Sequence, residues 1–585
     1  MKHVRRIAIF VVAIMLLVTG LNFKAGYTYS HDGQVISSPP GYSATIDGVY
    51  NVLSTAWGGK INEKEFNSPE DLYIYTDPDT NEESIYIVSS STSIDKDTNI
   101  CYNTLFKFDE DLNFIEKVSQ FEVVPDRFTN LELSKMKTRV DSTGSASSSP
   151  LTSVYSYEKI KSIKETPYES RTDDQKMYIK LFKVSGVYRA KRAARDENNV
   201  IIENEFEDLI FLCDTGNSQI VIVESDTYKV VQVVSGPTDA VFTGKTFSPT
   251  KVLTDTAGRI YVISDGIYEG IVLLNNKGEF MRFVGVNYTT LSFWDALWRN
   301  IATEEQRQQM TSILQTEFKN FAMDSQGFIY TVSRPTTNSQ TGATDDKSMI
   351  KRINQAGKDV LVRNGYSVPK GDLVTILVGN KKGGSQFTGI AVNDYGMYTV
   401  VDAKGGRLFT YDKEGNLLYI SAGSGVELTN LVNPVAVSYQ GDNLLVLEKN
   451  NRAVIRFTPT EVGALINKAV KLHAIGRSEE ASEEWQNVIN QNPNYELAYV
   501  GVGKTYLEAE RYLDAMSYFK TGFSVSYYSK AYKYYRDDII KTYFPWVMSV
   551  IVVAVLAKIG YNVYKNIRYK KAVKDAGDID GWETR

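Results

Sequence analysis

Three acidic residues occupy equivalent places in a recurring pattern, and they are the first candidates for chemistry. Asp214, Asp402 and Glu448 each end a run of apolar residues, precede a short turn and are followed by a second apolar run. Carboxylate oxygens are preferred ligands of a hard divalent cation such as Ca²⁺, so these side chains could hold a metal ion. An acidic residue before a turn also commonly accepts hydrogen bonds from the backbone N–H groups of that turn. We expect this second, structural role, and metal binding is the alternative.

Histidine and cysteine are too sparse to support most other active sites. The three histidines are His3, His31 and His473, and none lies within the recurring pattern. A Ser-His-Asp hydrolase needs a histidine base and a zinc lyase needs histidine ligands, so neither is expected, and we interpret His473 as a structural residue of a helix. Cys101 and Cys213 could pair outside the cell, but Cys213 lies inside a predicted strand, and free buried thiols are favoured.

The recurring pattern predicts the fold. An apolar run ending in Asp, Glu or Ser returns six times, and the shortest spacing between copies is 46 residues. A unit of this length with four alternating strands is typical of a β-propeller blade. The sequence therefore predicts a mainly β protein whose six-bladed propeller spans residues 43–458. The six runs are 85–89, 210–214, 260–264, 329–333, 398–402 and 444–448.

Unequal spacing between the copies indicates two insertions. Residues 123–177 are polar and charged and include the low-complexity stretch STGSASSSP, so we expect a mobile excursion. Residues 289–318 have a helical pattern in which Trp294 and Trp298 lie on one stripe. We interpret this segment as a cap on the propeller rim; the alternative is a docking surface, because paired tryptophans are common binding anchors. Residues 43–55 are expected to supply the fourth strand of the last blade and so close the ring.

After the last blade the apolar period changes from 2 to 3.6 residues. Thr458, Pro459 and Glu461 form a helix start, with an N-cap, a proline at the first helical position and a reciprocal cap. Small and aromatic residues then recur at a spacing of 34 residues, which is the pattern of a tetratricopeptide repeat. Residues 459–541 are therefore predicted to form two repeats and a capping helix. The aligned pairs are Ala469 with Gly503, Leu472 with Tyr506, Ala481 with Ala515, and Trp485 with Phe519.

The predicted repeat helices offer a second kind of candidate site. Tyr499, Lys504 and Glu508 fall at or near helix positions that line the concave groove of a repeat pair. A groove of this kind docks another protein. The alternative is a rigid spacer, because repeats stack whether or not they bind a partner.

Both ends of the chain carry apolar segments with basic flanks. Residues 1–26 have a basic start and an apolar run, which predicts an export signal, either a cleaved peptide or an anchor. Residues 543–564 are long enough to span about 30 Å of hydrocarbon and have aromatic residues at both edges. Residues 565–585 begin with a cluster of basic side chains. Positive-inside reasoning places this tail in the cytoplasm and residues 27–542 outside the cell.

The turns of the pattern resemble a known repeat. Asp214 with Asn217, and again Asp402 with Arg407, match part of the Asp-x-x-Asn-x-Arg-Ile frame of the NHL-repeat family of β-propellers, although Gln219 stands where that family has arginine. In its layout the chain is similar to membrane-anchored NHL proteins of Gram-positive bacteria. This resemblance implies an accessory role beside a carbohydrate ABC importer.

Two function hypotheses follow. A net charge of −5 gives no electrostatic footprint for nucleic acid, and the sequence contains no phosphate-binding loop or metal-spaced His/Cys set. The favoured hypothesis is a non-catalytic, extracytoplasmic binding or scaffold protein without a cofactor. Its propeller is displayed on a membrane anchor, and its repeat helices dock another membrane or cell-surface protein such as a transporter permease. The alternative is a lactonase that depends on a divalent metal such as Ca²⁺, because the gluconolactonase-like propellers that the chain would then resemble use acidic and Asn ligands.

Overall fold

The computed structural model describes residues 42–51, 65–91, 102–139, 148–195, 201–285, 317–334, 336–337, 344–345, 349–364, 369–371, 384–423 and 431–579. Trp294, Trp298 and Cys101 lie outside these residues. The chain divides after Ile475 into two compact units.

The strands of the first unit form six main sheets, which we call blades 1 to 6. Strand β1 is Tyr42–Asn51. Blade 1 contains β2 (Pro69–Thr76), β3 (Glu83–Ser89), β4 (Thr104–Phe108) and β5 (Phe114–Val118). The insertion after it contains β6 (Phe121–Val123), β7 (Lys137–Arg139), β8 (Ser148–Pro150) and β9 (Met177–Ile179). Blade 2 contains β10 (Val184–Arg195), β11 (Ile201–Asp214), β12 (Gln219–Glu224) and β13 (Val230–Val234). Blade 3 contains β14 (Pro249–Thr254), β15 (Ile260–Ser264), β16 (Ile271–Leu274) and β17 (Phe280–Val284).

The remaining blades continue the same order. Among the described residues, blade 4 contains β18 (Phe318–Met323), β19 (Ile329–Ser333) and β22 (Ile350–Ile353), and the short pair β20 (Thr336–Thr337) and β21 (Thr344–Asp345) lies between the last two in sequence. Blade 5 contains β23 (Phe387–Val392), β24 (Tyr398–Asp402), β25 (Arg407–Tyr411) and β26 (Leu417–Ser421). Blade 6 contains β27 (Pro434–Gln440), β28 (Asn443–Glu448) and β29 (Ala453–Pro459), together with β1.

The first strands of the six blades close a ring. β2 contacts β10, and the contacts continue through β14, β18, β23 and β27 back to β2. Neighbouring blades share apolar cores: Ile87 and Phe106 of blade 1, for example, pack in one cluster with Leu447 of blade 6. The first unit is therefore a six-bladed β-propeller, as the sequence predicts, and the first strands surround its axis.

Blade 6 joins the two ends of the propeller. β1 pairs antiparallel with β29, with Tyr42 opposite Pro459 and Asn51 opposite Ala453. This is the closure predicted for residues 43–55, and it covers the outer edge of β29, which would otherwise present unpaired backbone groups. This pairing also places the start of the next helix two residues later than the sequence predicts. Because Thr458 and Pro459 still pair with β1, the N-cap is Thr460, whose hydroxyl accepts a hydrogen bond from Gly463 N at 3.1 Å.

A recurring turn of five residues links strands at the lower face, which we define as the face where each first strand ends. Asp or Asn begins the turn, and its Oδ1 accepts hydrogen bonds from the backbone N–H groups two and four residues later. At Asp324 these bonds come from Gln326 N at 3.0 Å and Phe328 N at 2.8 Å. The fourth residue has positive φ, and it is usually glycine, as at Gly327 with φ of 81°. The turn residues at the first position are Asp109, Asp255, Asn275, Asp324, Asn393 and Asp412.

The first insertion differs from the sequence prediction. Where the structure describes residues 123–177, they are folded and packed. β6 pairs with both β13 and β9 and so extends blade 2 outward, and Leu133, Leu151 and Ile160 are buried in the same cluster as the blade 2 strands. A mobile excursion was the wrong expectation because most of the segment is polar, and the few apolar residues that decide its packing are spread over three short helices. Its helices are α1 (Asn130–Lys135), α2 (Leu151–Val154) and α3 (Tyr157–Glu165).

Helix α4 (Glu461–Ala474) belongs to the propeller unit. The Tyr419 hydroxyl of blade 5 donates to Asn467 Oδ1 at 2.5 Å, and the Lys471 ammonium lies 4.7 Å from the centre of the Tyr395 ring. The first helix that the sequence assigns to the repeats is therefore fixed to blade 5.

The second unit consists of helices only, in the part that the structure describes. They are α5 (Ser478–Gln491), α6 (Glu496–Glu508), α7 (Tyr512–Thr521) and α8 (Val525–Ile579). α5 and α7 begin 34 residues apart, and Ala481, Ala515 and Phe519 are buried. These features agree with the spacing from which repeats were predicted; the family of the repeats stays a prediction. α8 is one continuous helix, so the Tyr-rich segment 529–541 runs directly into the apolar segment 543–564, as expected.

Candidate functional site

The predicted carboxylates of Asp402 and Glu448 accept hydrogen bonds from backbone N–H groups at two places in their blade: just before the first strand and just after the second. Each ends the second strand of its blade. Asp402 Oδ1 accepts from Gln386 N at 2.8 Å, just before the first strand of blade 5, and from Lys404 N at 2.9 Å in the following turn. Glu448 accepts in the same way from Asn433 N at 2.7 Å and Asn450 N at 3.0 Å. The carboxylates thus fix the start of the first strand relative to the second.

Asp214 has a related but denser set of partners. Its Oδ1 accepts from Phe182 N at 2.6 Å, and its Oδ2 accepts from the side-chain amides of Asn217 at 2.7 Å and Gln219 at 2.9 Å. The side chain is fully buried. Burial raises the pKa of Asp214 to about 7, and the three N–H donors oppose this rise.

Serines take the same place in other blades. Ser89 Oγ accepts from Ser68 N at 3.2 Å, and Ser264 Oγ accepts from Ser248 N at 2.8 Å. In five blades the last residue of the second strand therefore accepts a hydrogen bond from the segment that precedes the first strand. This shared bond supports the structural role expected from the sequence. Among the described residues, no group of three or more His, Cys, Asp or Glu is close enough to hold a metal ion, and Cys213 is a free, buried thiol.

The propeller axis contains a cavity that the sequence did not predict. It has a volume of about 230 Å³ and is lined by residues from all six first strands. In every blade the pairing of the first strand with the second shifts between its first and third residues, which is the register change of a β-bulge. The upper face, where the first strands begin, therefore carries six bulges around the axis, and the third residue of each first strand follows its bulge.

Three of these third residues are polar, and all three line the cavity: Asp71 in blade 1, Lys251 in blade 3 and Asn320 in blade 4. Asp71 and Lys251 form an ion pair although their blades are not adjacent. Between them lies Gly186, the third residue of the first strand of blade 2. A Cβ at Gly186 would lie 2.5 Å from Thr250 O and 3.2 Å from Lys251 Cα, so only glycine fits beside the pair.

The Asp71–Lys251 pair is nearly inaccessible from solvent. The two residues are 7% and 9% exposed. Asp71 Oδ2 also accepts a hydrogen bond from Val187 N at 3.1 Å, so this carboxylate connects blades 1, 2 and 3. Burial raises the pKa of Asp71 above its ordinary value, and the Lys251 ammonium opposes the rise.

Aromatic residues line the cavity beyond the ion pair. The Tyr73 and Tyr188 rings, from blades 1 and 2, lie 4.6 Å apart between centroids. Phe321 of blade 4 and Tyr439 of blade 6 line the same cavity, and the Tyr439 hydroxyl lies 2.7 Å from Thr399 Oγ1. The cavity therefore combines a compensated pair of charges with aromatic surface.

The sequence contains a signal for this cavity. Once the six copies are aligned, the third residue of each first strand is Asp71, Gly186, Lys251, Asn320, Gly389 or Ala436. Opposite charges alternating with small residues at one structural position would have indicated an axial site. The acidic residues at the ends of the second strands stand beside recognisable turns, whereas the third residues of the first strands stand in no motif.

The candidate partner-binding residues of the second unit all make contacts within that unit. Tyr499 donates to Pro493 O at 2.9 Å, and the Lys504 ammonium lies 4.9 Å from the centre of the Tyr527 ring on α8. Glu508 is exposed and accepts a hydrogen bond from Ser478. Lys504 and Glu508 lie one turn apart on α6. A docking role for the three side chains stays a prediction.

Comparisons with known proteins add little beyond the fold. No protein-family model and no curated protein sequence matches the chain. Among solved structures, virginiamycin B lyase from Staphylococcus aureus is 8% identical, covers 72% of this chain and all of its own chain, and has a TM-score of 0.34. The computationally designed protein Ika8 is 10% identical, covers 68% of this chain and 98% of its own, and has a TM-score of 0.28. Scores this low carry no argument about activity, and the propeller assignment rests on the closed ring of first strands.

Proposed function

We propose that this chain is a membrane-anchored, extracytoplasmic binding or scaffold protein, in which α8 is the anchor and the helices before it dock another protein. The observation that carries the proposal is the surface of α8. This helix is long and apolar enough to cross a membrane, and no part of its most apolar stretch is buried by the rest of the chain. A soluble core helix would bury such a stretch.

The exposed side chains of α8 support a lipid environment. Trp546 is 75% exposed, and Val550, Val553 and Leu556 are each more than half exposed. Removing one such side chain from water contributes about 1.5–3 kcal/mol, so a continuous series left in water would strongly favour association with an apolar phase. Hydrocarbon of about 30 Å thickness matches residues 543–564.

Charge gives the proposed orientation. Lys565, Arg568, Lys570 and Lys571 follow the apolar segment directly. Basic residues next to a span favour the cytoplasmic side. The propeller and the helices α5–α7 then lie outside the cytoplasm, and the segment just before the span is held near the bilayer, where an integral membrane protein such as an importer permease is available as the partner.

Accessibility in intact cells tests the anchor. A tag at Arg585 should resist added protease while the propeller is digested. Digestion of the tag from outside would contradict the orientation, and release of the protein by alkaline carbonate would contradict the span.

Crosslinking in intact cells, followed by purification of the detergent-solubilised chain, tests the docking role. Proteins that co-purify with the detergent-solubilised chain should be lost in Lys504→Glu, which reverses a charge on α6. Lys520→Glu is the matched control, because it makes the same charge change on an exposed position of α7. If every partner survives both Lys504→Glu and the double substitution Trp294→Ala/Trp298→Ala, the chain is a spacer rather than a docking protein.

A further inference from the structure

We propose that the axial cavity binds a small molecule without net charge, which presents a hydrogen-bond acceptor to Lys251 and, beside it, a hydrogen-bond donor to Asp71. This site is separate from the docking role proposed above, since it lies within the propeller unit. It is built from two charged residues that are each less than 10% exposed and that line the cavity.

The ion pair retains hydrogen-bonding capacity. A lysine ammonium has three N–H donors, and among the described residues Lys251 uses Asp71 as its one acceptor. A carboxylate has about four lone-pair sites. Asp71 uses one at Oδ1 for Lys251 and one at Oδ2 for Val187 N, and the Leu72 backbone N–H also interacts with this carboxylate, which leaves about one site for a ligand. Both partners can therefore bind a ligand without breaking the pair.

Asn320 extends the polar part of the wall. One hydrogen of its Nδ2 is donated to Thr388 O at 3.1 Å, and its Oδ1 accepts from Phe321 N at 2.7 Å. The second Nδ2 hydrogen is available to a ligand oxygen. The cavity wall thus offers an ammonium donor, an amide donor and one carboxylate. All three belong to the third residue of a first strand, so they lie at the same level along the propeller axis.

The charges of the site limit the ligand to molecules without net charge. Asp71 and Lys251 already compensate each other, so an ion would enter a cavity whose lining residues offer it no free counter-charge. Burying a charge without a partner is strongly unfavourable. A molecule that is neutral overall avoids this cost and still forms charge-assisted hydrogen bonds with both residues.

The size of the site favours a small molecule. Pockets for drug-sized ligands are typically about 300–1,000 Å³, and this cavity is smaller, at about 230 Å³. Tyr73, Tyr188 and Phe321 supply apolar surface for the carbon skeleton of a small molecule.

Two kinds of small molecule have the required chemistry, and three probes separate them. A polyol supplies adjacent hydroxyl groups that both donate and accept; myo-inositol is the probe. A zwitterion supplies a carboxylate and an ammonium; glycine is the probe. Glycine betaine is the matched control, because it has the same charges as glycine but no N–H donor for Asp71.

The experiment measures the melting temperature and the heat of binding of the full-length protein in detergent with each probe. At about 100-fold excess over Kd, the expected rise in melting temperature is roughly 3 °C. A rise with myo-inositol alone assigns a hydroxyl ligand, and a rise with glycine but not with glycine betaine assigns an ammonium donor. No rise with any probe overturns the proposal, as does an equal rise with glycine and glycine betaine.

Variants tie the effect to the pair. A single substitution would strand a buried charge and could unfold the protein, whereas replacing both members of a buried pair by apolar residues is often tolerated. The double variant Asp71→Leu/Lys251→Met should therefore stay folded and lose the probe-dependent rise. The control Glu65→Leu/Lys117→Met removes an ion pair of 2.6 Å outside the cavity and should keep the rise. A rise that survives in the Asp71/Lys251 variant would show that binding occurs elsewhere.

Discussion

The side-chain amide of Gln219 makes two hydrogen bonds with the backbone of Lys137. Its Nε2 donates to Lys137 O at 2.8 Å, and its Oε1 accepts from Lys137 N at 3.0 Å. The same Nε2 donates to Asp214 Oδ2 at 2.9 Å. An arginine at this position could donate but not accept. The glutamine, which departs from the NHL frame, therefore fastens the first insertion to blade 2.

Replacing Gln219 by leucine should loosen the insertion. Both Lys137 backbone groups would lose their side-chain partner, which costs about 1–3 kcal/mol for each group that stays out of water. We expect faster trypsin cleavage at Lys135, Lys137 and Arg139. Gln232→Leu is the control, because the Gln232 side chain, on blade 2, donates to Asn276 O in a turn of blade 3 at 3.0 Å and not to the insertion. Equal cleavage of both variants would show that other contacts hold the insertion.

Asp402 should behave as a structural acceptor. Asp402→Ala removes bonds from Gln386 N, Lys404 N and Ser385 Oγ, and we expect a loss of about 2–4 kcal/mol in unfolding free energy. Asp402→Ser should lose less, because serine makes the equivalent bond at Ser264 in blade 3. The measurement is thermal unfolding with and without a chelator. Calcium retained by the wild type and lost in Asp402→Asn would instead favour the metal interpretation.

Asp214 gives the stability a definite dependence on pH. Its pKa is about 7 in the folded protein, against an ordinary value of 3.8, because the carboxyl group is desolvated. Between these two values the folded state holds a proton that the unfolded state has released, so stability falls as pH rises. The fall is about 4 kcal/mol at roughly 1.4 kcal/mol per pH unit. It should level off above pH 7.

The comparison with Asp214→Asn isolates this effect. The variant cannot titrate at residue 214, so the difference in unfolding free energy between the two proteins should shrink or change sign as pH rises from 4 to 7. Chemical unfolding at pH 4, 5, 6, 7 and 8 measures it. A constant difference over this range would mean that the N–H donors from Phe182, Asn217 and Gln219 keep the carboxylate ionised throughout.

The fold could be predicted from the sequence because its determinants are local and repeated. Each second strand ends in a short apolar run, and the turns of the lower face repeat Asp or Asn, usually with glycine three residues later, as at Asp324 and Gly327. The conformation of such turns is determined by residues that are close in sequence, so the turns can be recognised from the sequence alone. The same reasoning located the helix start only to within two residues, because the pairing of Thr458 with Ser43 depends on the distant N-terminal strand.

The axial site could not be derived in the same way. Asp71 and Lys251 are 180 residues apart in sequence, and they meet only because six blades close a ring and Gly186 leaves space between them. Neither residue stands in a motif. The packing of the first insertion was not predicted for a different reason. The prediction rested on the average composition of the segment, which is polar, whereas its burial depends on a few apolar side chains such as Leu133 and Ile160.

The small residues of the repeat helices give a test of the helical unit. A Cβ at Gly503 of α6 would lie 2.7 Å from Cε1 of Phe519, which is fully buried on α7 and stacked on Tyr527 at 5.3 Å. Gly503→Ala should therefore force these helices apart. Overpacking of this kind costs about 1–3 kcal/mol, although alanine recovers about 1 kcal/mol of helix propensity. We expect a net loss, measured as a lower melting temperature of the helical signal.

Gly560 of α8 is the matched control for Gly503. Nothing in the described structure lies within 4 Å of a Cβ built there, so Gly560→Ala adds the same methyl group without a clash and should not lower the melting temperature. The sign of the difference is informative, because helix propensity alone would make both variants at least as stable as the wild type. If Gly503→Ala is as stable as Gly560→Ala, then α6 and α7 do not pack as closely as the aligned small and aromatic residues require, and the tetratricopeptide interpretation of residues 459–541 loses its physical basis.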